Sequence, residues 1–327
     1  MPEGVEVRKF ADILSHNLVG HSIVKINILK GRYTKKAFDG YRELEELLPV
    51  KVVSVKCKGK MTYIELQSSG GKTVWLINTL GLTGGWTVAA REKKNLVGER
   101  RLRYMKKNSI GVGHDMVFAY PVIWEYMTNN NANEWFEGAL DHLNVEFVMN
   151  DGRKGYFYDQ LSFGTLKLIE RRGALEKKLR ELGADMLDES TTFEVFKKVM
   201  SKKANKGKAI GNVLVNQRLV SGVGNYLRAD ALWMARISPF RKVGELSDVE
   251  LERIYKSIRA LMWGDLAPED ALKKGYIGAD FKIPHDYGRE FFVYMQEKDL
   301  DGRKVVKEEL YEGSQKRNIY WVPEVQK

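Results

Sequence analysis

The sequence predicts an α+β protein: an N-terminal helix, a strand-rich β-sandwich domain, and a helical domain that ends in a β-hairpin. Three patterns support this. Residues 5–18 place Val7, Phe10, Ala11 and Leu14 on one helical face. Runs such as Val52-Val53-Ser54-Val55 and Met61-Thr62-Tyr63-Ile64-Glu65-Leu66 alternate with the period of a sandwich strand. From about residue 185 to 275 the apolar spacing is helical, and strand-like residues then flank Asp301-Gly302, a two-residue hairpin signal. A chain of 327 residues buries a substantial core and divides in two, with domains expected over residues 1–185 and 186–327.

Lys and Arg number 54 against 43 Asp and Glu, a formal charge of +11, which favours a polyanionic partner. The same balance also fits a protein that is merely basic at its surface. No apolar run approaches the roughly 18 residues of a membrane span, and the charged start is no secretory signal, so an intracellular protein without a membrane partner is expected. Cys57 is the only cysteine, which excludes an internal disulfide and a cysteine-rich zinc site. The five histidines are scattered without ligand spacing, so neither a metal nor another cofactor is expected.

Two segments carry chemistry. Removal of Met1 would leave Pro2 as an N-terminal secondary amine beside the carboxylic acid of Glu3, a possible nucleophile and its acid; the tripeptide is equally an ordinary chain start. Far downstream, the stretch from Asn216 to Trp233 carries Gly222 and Gly224, which suit a turn that a nucleic-acid backbone can approach closely. Asn225 then opens a helix with Leu227, Ala231 and Leu232 inward and Arg228 outward. A helix N-terminus with N–H groups available and an Asn beside it reads as a phosphate clamp, although the pattern fits a glycine-containing turn packed in a core just as well. The basic run Ser201-Lys202-Lys203-Ala204-Asn205-Lys206-Gly207-Lys208 precedes this motif.

With these residues the chain resembles the formamidopyrimidine-DNA glycosylase and endonuclease VIII family. The downstream stretch is similar to the family's helix–two-turn–helix signature, and its Gly-Asn-Tyr-Leu-Arg wording is nearer the endonuclease VIII side. Met-Pro-Glu is also the family's start. Gly59-Lys60 on a strand, Leu80-Gly81-Leu82-Thr83-Gly84 in a loop, Asp159 with Phe163-Gly164, and Lys316-Arg317-Asn318-Ile319-Tyr320-Trp321 extend the match in order along nearly the whole chain. Residues 88–138 depart from it as an insertion with a basic run, Trp124, Tyr126, Asn129 to Asn131 and Trp135, expected to pack on the sandwich. Leu182-Gly183-Ala184-Asp185 resembles the interdomain hinge, and DNA is expected between the domains. Many members end in a four-cysteine zinc finger. Here Val322 and Val325 stand at the last cysteine pair, so Tyr294–Gln326, within a finger at about 290–327, is similar to the zincless finger of some endonuclease VIII-like proteins.

The resemblance implies a bifunctional glycosylase and abasic-site lyase of base excision repair, acting on oxidised bases, pyrimidines foremost, as a monomer wherever the genomic DNA lies. Pro2 would attack the sugar C1′, expel the base and form an iminium through which both flanking phosphates are eliminated; Glu3 would act as acid and proton shuttle. Lys60 would hold a phosphate beside the target sugar, and Glu6 would assist. Asn225 from the helical clamp and Arg317 from the hairpin tip would grip flanking phosphates. Leu82 and Phe163 would fill the space of the extruded base. Val5 replaces a usual proline, and Gln160-Leu161-Ser162 lacks the arginine expected before Phe163, which weakens the case for opposite-base discrimination and opens single-stranded or bubble DNA as substrates. A lyase-dead protein that recognises damaged DNA, and an RNA-binding protein with a similar two-turn motif, are the rival readings.

Overall fold

The computed structural model describes residues 2–90, 104–106, 117–119, 142–278, 291–312 and 315–327. The chain forms two compact units, one of residues 1–2 and 6–179, the other of residues 3–5 and 180–327. Among the described residues no helix is long and apolar enough to cross a membrane. The architecture is α+β, as the periodicities predict.

The first unit is built on helix α1 (Gly4–Leu18), which runs into it from residue 6, and ten strands: β1 (Ser22–Ile28), β2 (Val50–Lys58), β3 (Met61–Ser68), β4 (Thr73–Thr79), β5 (Gly85–Ala90), β6 (Tyr104–Lys106), β7 (Val117–Ala119), β8 (Leu143–Met149), β9 (Lys154–Tyr158) and β10 (Thr165–Ile169). A short helix α2 (Tyr41–Glu46) precedes β2. The strands are hydrogen-bonded as one antiparallel sheet in the order β10-β4-β3-β2-β1-β8-β9-β5-β7-β6. Five strands separate β4 from β5 in that order. A flat sheet would place them roughly 29 Å apart at about 4.8 Å per strand. Yet Trp86 Nε1 on β5 donates to Asn78 Oδ1 on β4 at 2.9 Å, so the sheet curls around its core. Phe10 and Leu14 of α1 pack there with Ile64, Leu66, Trp86, Phe147 and Phe157, the inward positions of the alternating runs.

Two expectations for this unit change. Gly59 and Lys60 are not on a strand; Lys58 pairs with Met61, so they form the two-residue turn between β2 and β3. The positive φ of Gly59 (54°) has the sign required at the first position of a type II′ turn. Within the expected insertion, β6 and β7 continue the sheet beyond β5. Trp124, Tyr126, Asn129 to Asn131 and Trp135 lie outside the described residues.

The unit boundary falls within α3 (Arg172–Glu181). The second unit continues with β11 (Ala184–Asp185), α4 (Phe193–Met200), α5 (Lys203–Lys206), α6 (Ile210–Val215), β12 (Val220–Ser221), α7 (Asn225–Ala235), α8 (Asp248–Leu266) and α9 (Pro268–Lys273). Side chains set these boundaries. Thr192 caps α4 through Val195 N, and Ser247 with Glu250 forms a capping box at α8. Apolar residues of α6, α7 and α8 make one core with Val5, Met186 and Phe196. In the basic run, Lys202, Lys203 and Lys206 are exposed.

A hairpin of β13 (Val306–Glu312) and β14 (Gln315–Trp321) ends the unit. Asp301-Gly302 does not join strands of this hairpin. It is a tight turn, with Gly302 N donating to Asp299 O and one isolated bridge, Lys298 to Lys304. The strands that do pair lie downstream. Leu310, Ile319 and Val322 of this region pack with Val293, Val305 and Ala229, while Val325 covers the cluster's side. Among the described residues no group of three or more His, Cys, Asp or Glu side chains could hold a metal.

Candidate active site

The N-terminus of α7 is already occupied. Glu3, 1% exposed, directs both carboxylate oxygens at it: Gly224 N donates to Oε2 at 2.5 Å, Tyr226 N to Oε1 at 3.0 Å and Leu227 N to Oε2 at 3.4 Å. These are groups a helix leaves without intrahelical partners, and the positive end of its dipole favours an anion there. The sequence reading of available N–H groups at this helix start is therefore corrected: the chain's own third residue takes those of Gly224, Tyr226 and Leu227.

The loop ahead of α7 is shaped to receive that residue. Gln217 Oε1 accepts from Gly222 N at 3.0 Å while its Nε2 donates to Val215 O and Val223 O, which braces the turn from within. Gly222 has a φ of 94°, and Gly4 N donates to Gly222 O at 2.8 Å. A Cβ on Gly4 would sit 2.8 Å from Gly222 Cα and 2.9 Å from Met262 Cε. Backbone contact this close requires glycine at position 4. Gly4→Ala is expected to destabilise the protein by about 1–3 kcal/mol through overpacking and to displace Glu3. Thermal unfolding and amide exchange at Gly224 and Tyr226 measure the two effects.

Arg228, expected to face solvent, is fully buried. Its Nη1 donates to Gly211 O at 3.3 Å, and its Nη2 to Asn318 O at 2.8 Å and Asn225 Oδ1 at 3.3 Å. Burial pushes its pKa down to about 10, opposed by the nearby Glu3 charge and reinforced by that of Arg317. Asn225 is half-buried at the first position of α7. Arg317 is exposed, and sits on β14 opposite Leu310 rather than at the very tip of the hairpin. Asp230, fully buried further along α7, accepts from Phe292 N, Val293 N and Tyr294 N at 3.0, 3.0 and 3.1 Å. The structure thus gathers Glu3, Asn225 and Arg317 around one helix, together with Arg228 and Asp230, which sequence reasoning missed.

The remaining candidates belong to the first unit. Pro2 is buried, Glu6 lies 4% exposed on α1, and Lys60 is half-buried in the β2–β3 turn. Leu82 and Phe163 are 43% and 58% exposed on two loops that are fastened together. Asp159 accepts from Thr83 Oγ1 and from Gly164 N, both at 2.6 Å, and Leu161 N donates to Thr83 Oγ1 at 3.0 Å. Gly81, with a φ of 64°, lets the loops meet, since a Cβ there would lie 2.7 Å from Gly164 N. Two large apolar side chains are thus held outward on loops braced by polar contacts.

Three family models match the chain in order: the formamidopyrimidine-DNA glycosylase N-terminal domain over residues 1–166, its H2TH domain over 182–273 and its C-terminal domain over 283–327. The chain belongs to the formamidopyrimidine-DNA glycosylase family. Formamidopyrimidine-DNA glycosylase of Corynebacterium glutamicum strain R is 24% identical over 272 residues, 82% of this chain and 79% of the relative. That of Thermus thermophilus is 36% identical over 122 residues, 37% and 44% of the two chains. Wild-type Lactococcus lactis Fpg (MutM), solved with DNA containing an oxidised pyrimidine, matches with a TM-score of 0.66 at 21% identity over 100% of both chains. The Lactococcus lactis protein bound non-covalently to DNA with an abasic site matches at 0.66, with 20% identity over 99% of each. At these identities the structural likeness establishes the family's fold; α7 and its glycine turn lie within the H2TH match.

Proposed function

We propose that this chain is a bifunctional DNA glycosylase and abasic-site lyase of base excision repair, with oxidised pyrimidines as its main substrates, and that DNA is its partner. Membership of the glycosylase family supplies the class. The observation that carries the chemistry is the seat of Glu3: the residue that follows the proposed nucleophile is locked by three backbone N–H groups of the H2TH helix and its turn. Those donors suit a carboxylate anion. Glu3 therefore begins as the base, takes the proton of the Pro2 ammonium once Met1 is removed, and hands it to the sugar as the ring opens. The neutral Pro2 nitrogen bonds to C1′ as the C1′–base bond breaks, the base leaves with the remaining Pro2 N–H proton, and cleavage of C1′–O4′, with the Glu3 proton going to O4′, gives the iminium. The resulting iminium acidifies the C2′ proton, whose loss expels the 3′ phosphate; a second elimination expels the 5′ phosphate. Lys60 and Glu6 serve the same site, Lys60 by holding a phosphate. Leu82 and Phe163 fill the space of the extruded nucleotide. Incision of duplexes carrying an oxidised pyrimidine, compared with undamaged duplexes, tests the activity; absence of damage-dependent incision by protein with a processed N-terminus would refute it.

Asn225 and Arg317 grip phosphates, and the apolar packing of Val322, Leu310 and Ile319 does for the hairpin what zinc does in a finger. Activity and thermal stability are expected to be indifferent to chelator. Arg317→Ala is expected to weaken binding to lesion DNA without unfolding the protein. It should also make the slope of log affinity against log salt shallower by about one unit, since each phosphate contact contributes roughly −0.9. An unchanged slope would remove Arg317 from the interface.

A further inference from the structure

Arg228 is a buried cation whose hydrogen bonds, among the described residues, all go to neutral oxygens, those of Gly211, Asn225 and Asn318. Its Nε has no partner among them. A guanidinium taken out of water without a paired carboxylate is costly. Hydrogen bonds to neutral oxygens and the nearby Glu3 charge offset that cost only in part. What distinguishes Arg228 is the identity of its acceptors. One is the side-chain oxygen of Asn225, and another is the carbonyl of Asn318, the residue after Arg317.

An asparagine amide carries an acceptor oxygen and a donor NH2 on one carbon, and its hydrogen-bond network decides which points where. With Oδ1 tied to the Arg228 guanidinium, Nδ2 is the end left to meet an incoming phosphate oxygen. The bond to Asn318 O fixes β14 against α7 at the point from which Arg317 projects. Arg228 and Arg317 also repel one another, as the effect of Arg317 on Arg228 shows, and an anion beside Asn225 would relieve that repulsion. We propose that Arg228 is a positioning residue that couples the two phosphate contacts, by turning the Asn225 amide into a donor and by holding the strand that carries Arg317. This rests on the reading of Asn225 and Arg317 as phosphate ligands.

The test is a set of double-mutant cycles in the full-length chain. Affinity is measured for a duplex with an uncleavable tetrahydrofuran abasic analogue, and thermal unfolding is followed in parallel. In the wild-type background Asn225→Ala and Arg317→Ala should each weaken binding by about 10-fold or more, the usual scale for a hydrogen bond to a charged group. In an Arg228→Met background each should cost less than about 2-fold. Arg228→Lys, which keeps the charge but lacks the planar fork, should show the same loss of coupling as Arg228→Met. Equal factors in wild-type and Arg228→Met backgrounds would overturn the coupling while leaving the phosphate contacts standing. No effect of Asn225→Ala or Arg317→Ala in the wild type would overturn the underlying reading and the inference with it. Should Arg228 variants fail to fold, the side-chain NH2 resonances of Asn225 in the wild-type protein test the amide orientation directly. With Nδ2 donating to the phosphate they should shift on binding the tetrahydrofuran duplex; resonances unchanged at saturation would refute the orientation.

Discussion

Reduction with borohydride in the presence of abasic DNA is expected to trap a covalent complex whose modified peptide begins at Pro2, and blocking the N-terminal amine is expected to abolish both trapping and strand cleavage. The reason is acid–base chemistry. An α-amino group has a reference pKa near 7.7–8.0 against about 10.4 for lysine, so its neutral fraction at pH 7 is roughly a hundredfold larger. An N-terminal tag is a cleaner test than Pro2→Gly, because glycine retains an amine that can form an imine. Intact mass must first establish that Met1 is gone. The tagged protein should bind the tetrahydrofuran duplex while showing no trapping, which separates lost chemistry from lost binding. Trapping through Lys60 with the N-terminus blocked would transfer the nucleophile to the β2–β3 turn.

How far such a site can be read from sequence depends on the separation of the interacting residues. The helical face of α1 and the alternation in β2 and β3 are local patterns, and each element formed where its pattern lay. Asn225 after two glycines was recognisable as a helix start for the same reason. The partners of that helix were not. The carboxylate that fills its N-terminus comes from Glu3, 221 residues upstream of Gly224, and no window of periodicity spans that distance. Arg228 was misassigned to the solvent face because a charged residue flanking Leu227 obeys the amphipathic rule only if no acceptors await it inside. Its acceptors lie 17 and 90 residues away, and on its own helix only Asn225 contributes. A turn signal, finally, specifies a bend and not the strands around it. Asp301-Gly302 bends as expected, yet the paired strands are Val306–Glu312 and Gln315–Trp321, further along the chain.

Glu3→Gln is expected to lower base excision by about 10²–10⁴-fold, the usual contribution of a general acid–base group, while cleavage of a preformed abasic site falls much less. Base loss needs a proton delivered to the opening sugar; the abasic substrate has already lost its base and needs chiefly the amine. The structure adds a second consequence that a purely catalytic residue would not have. The carboxylate accepts from Gly224 N, Tyr226 N and Leu227 N, so a glutamine in its place keeps one accepting oxygen and turns an NH2 group towards N–H donors. Losing an anion at a helix N-terminus and one of its acceptors costs about 1–2 kcal/mol. Exchange of those three amides should therefore accelerate locally in Glu3→Gln, while amides of the β2–β3 hairpin stay protected. The two readouts separate the roles. Faster amide exchange with excision intact would leave Glu3 as a helix cap alone. Lost excision with unchanged exchange would mean that the carboxylate acts from a position other than the end of α7. Both together are the outcome expected of a residue that anchors the N-terminus to the H2TH helix and moves the proton on which base release depends.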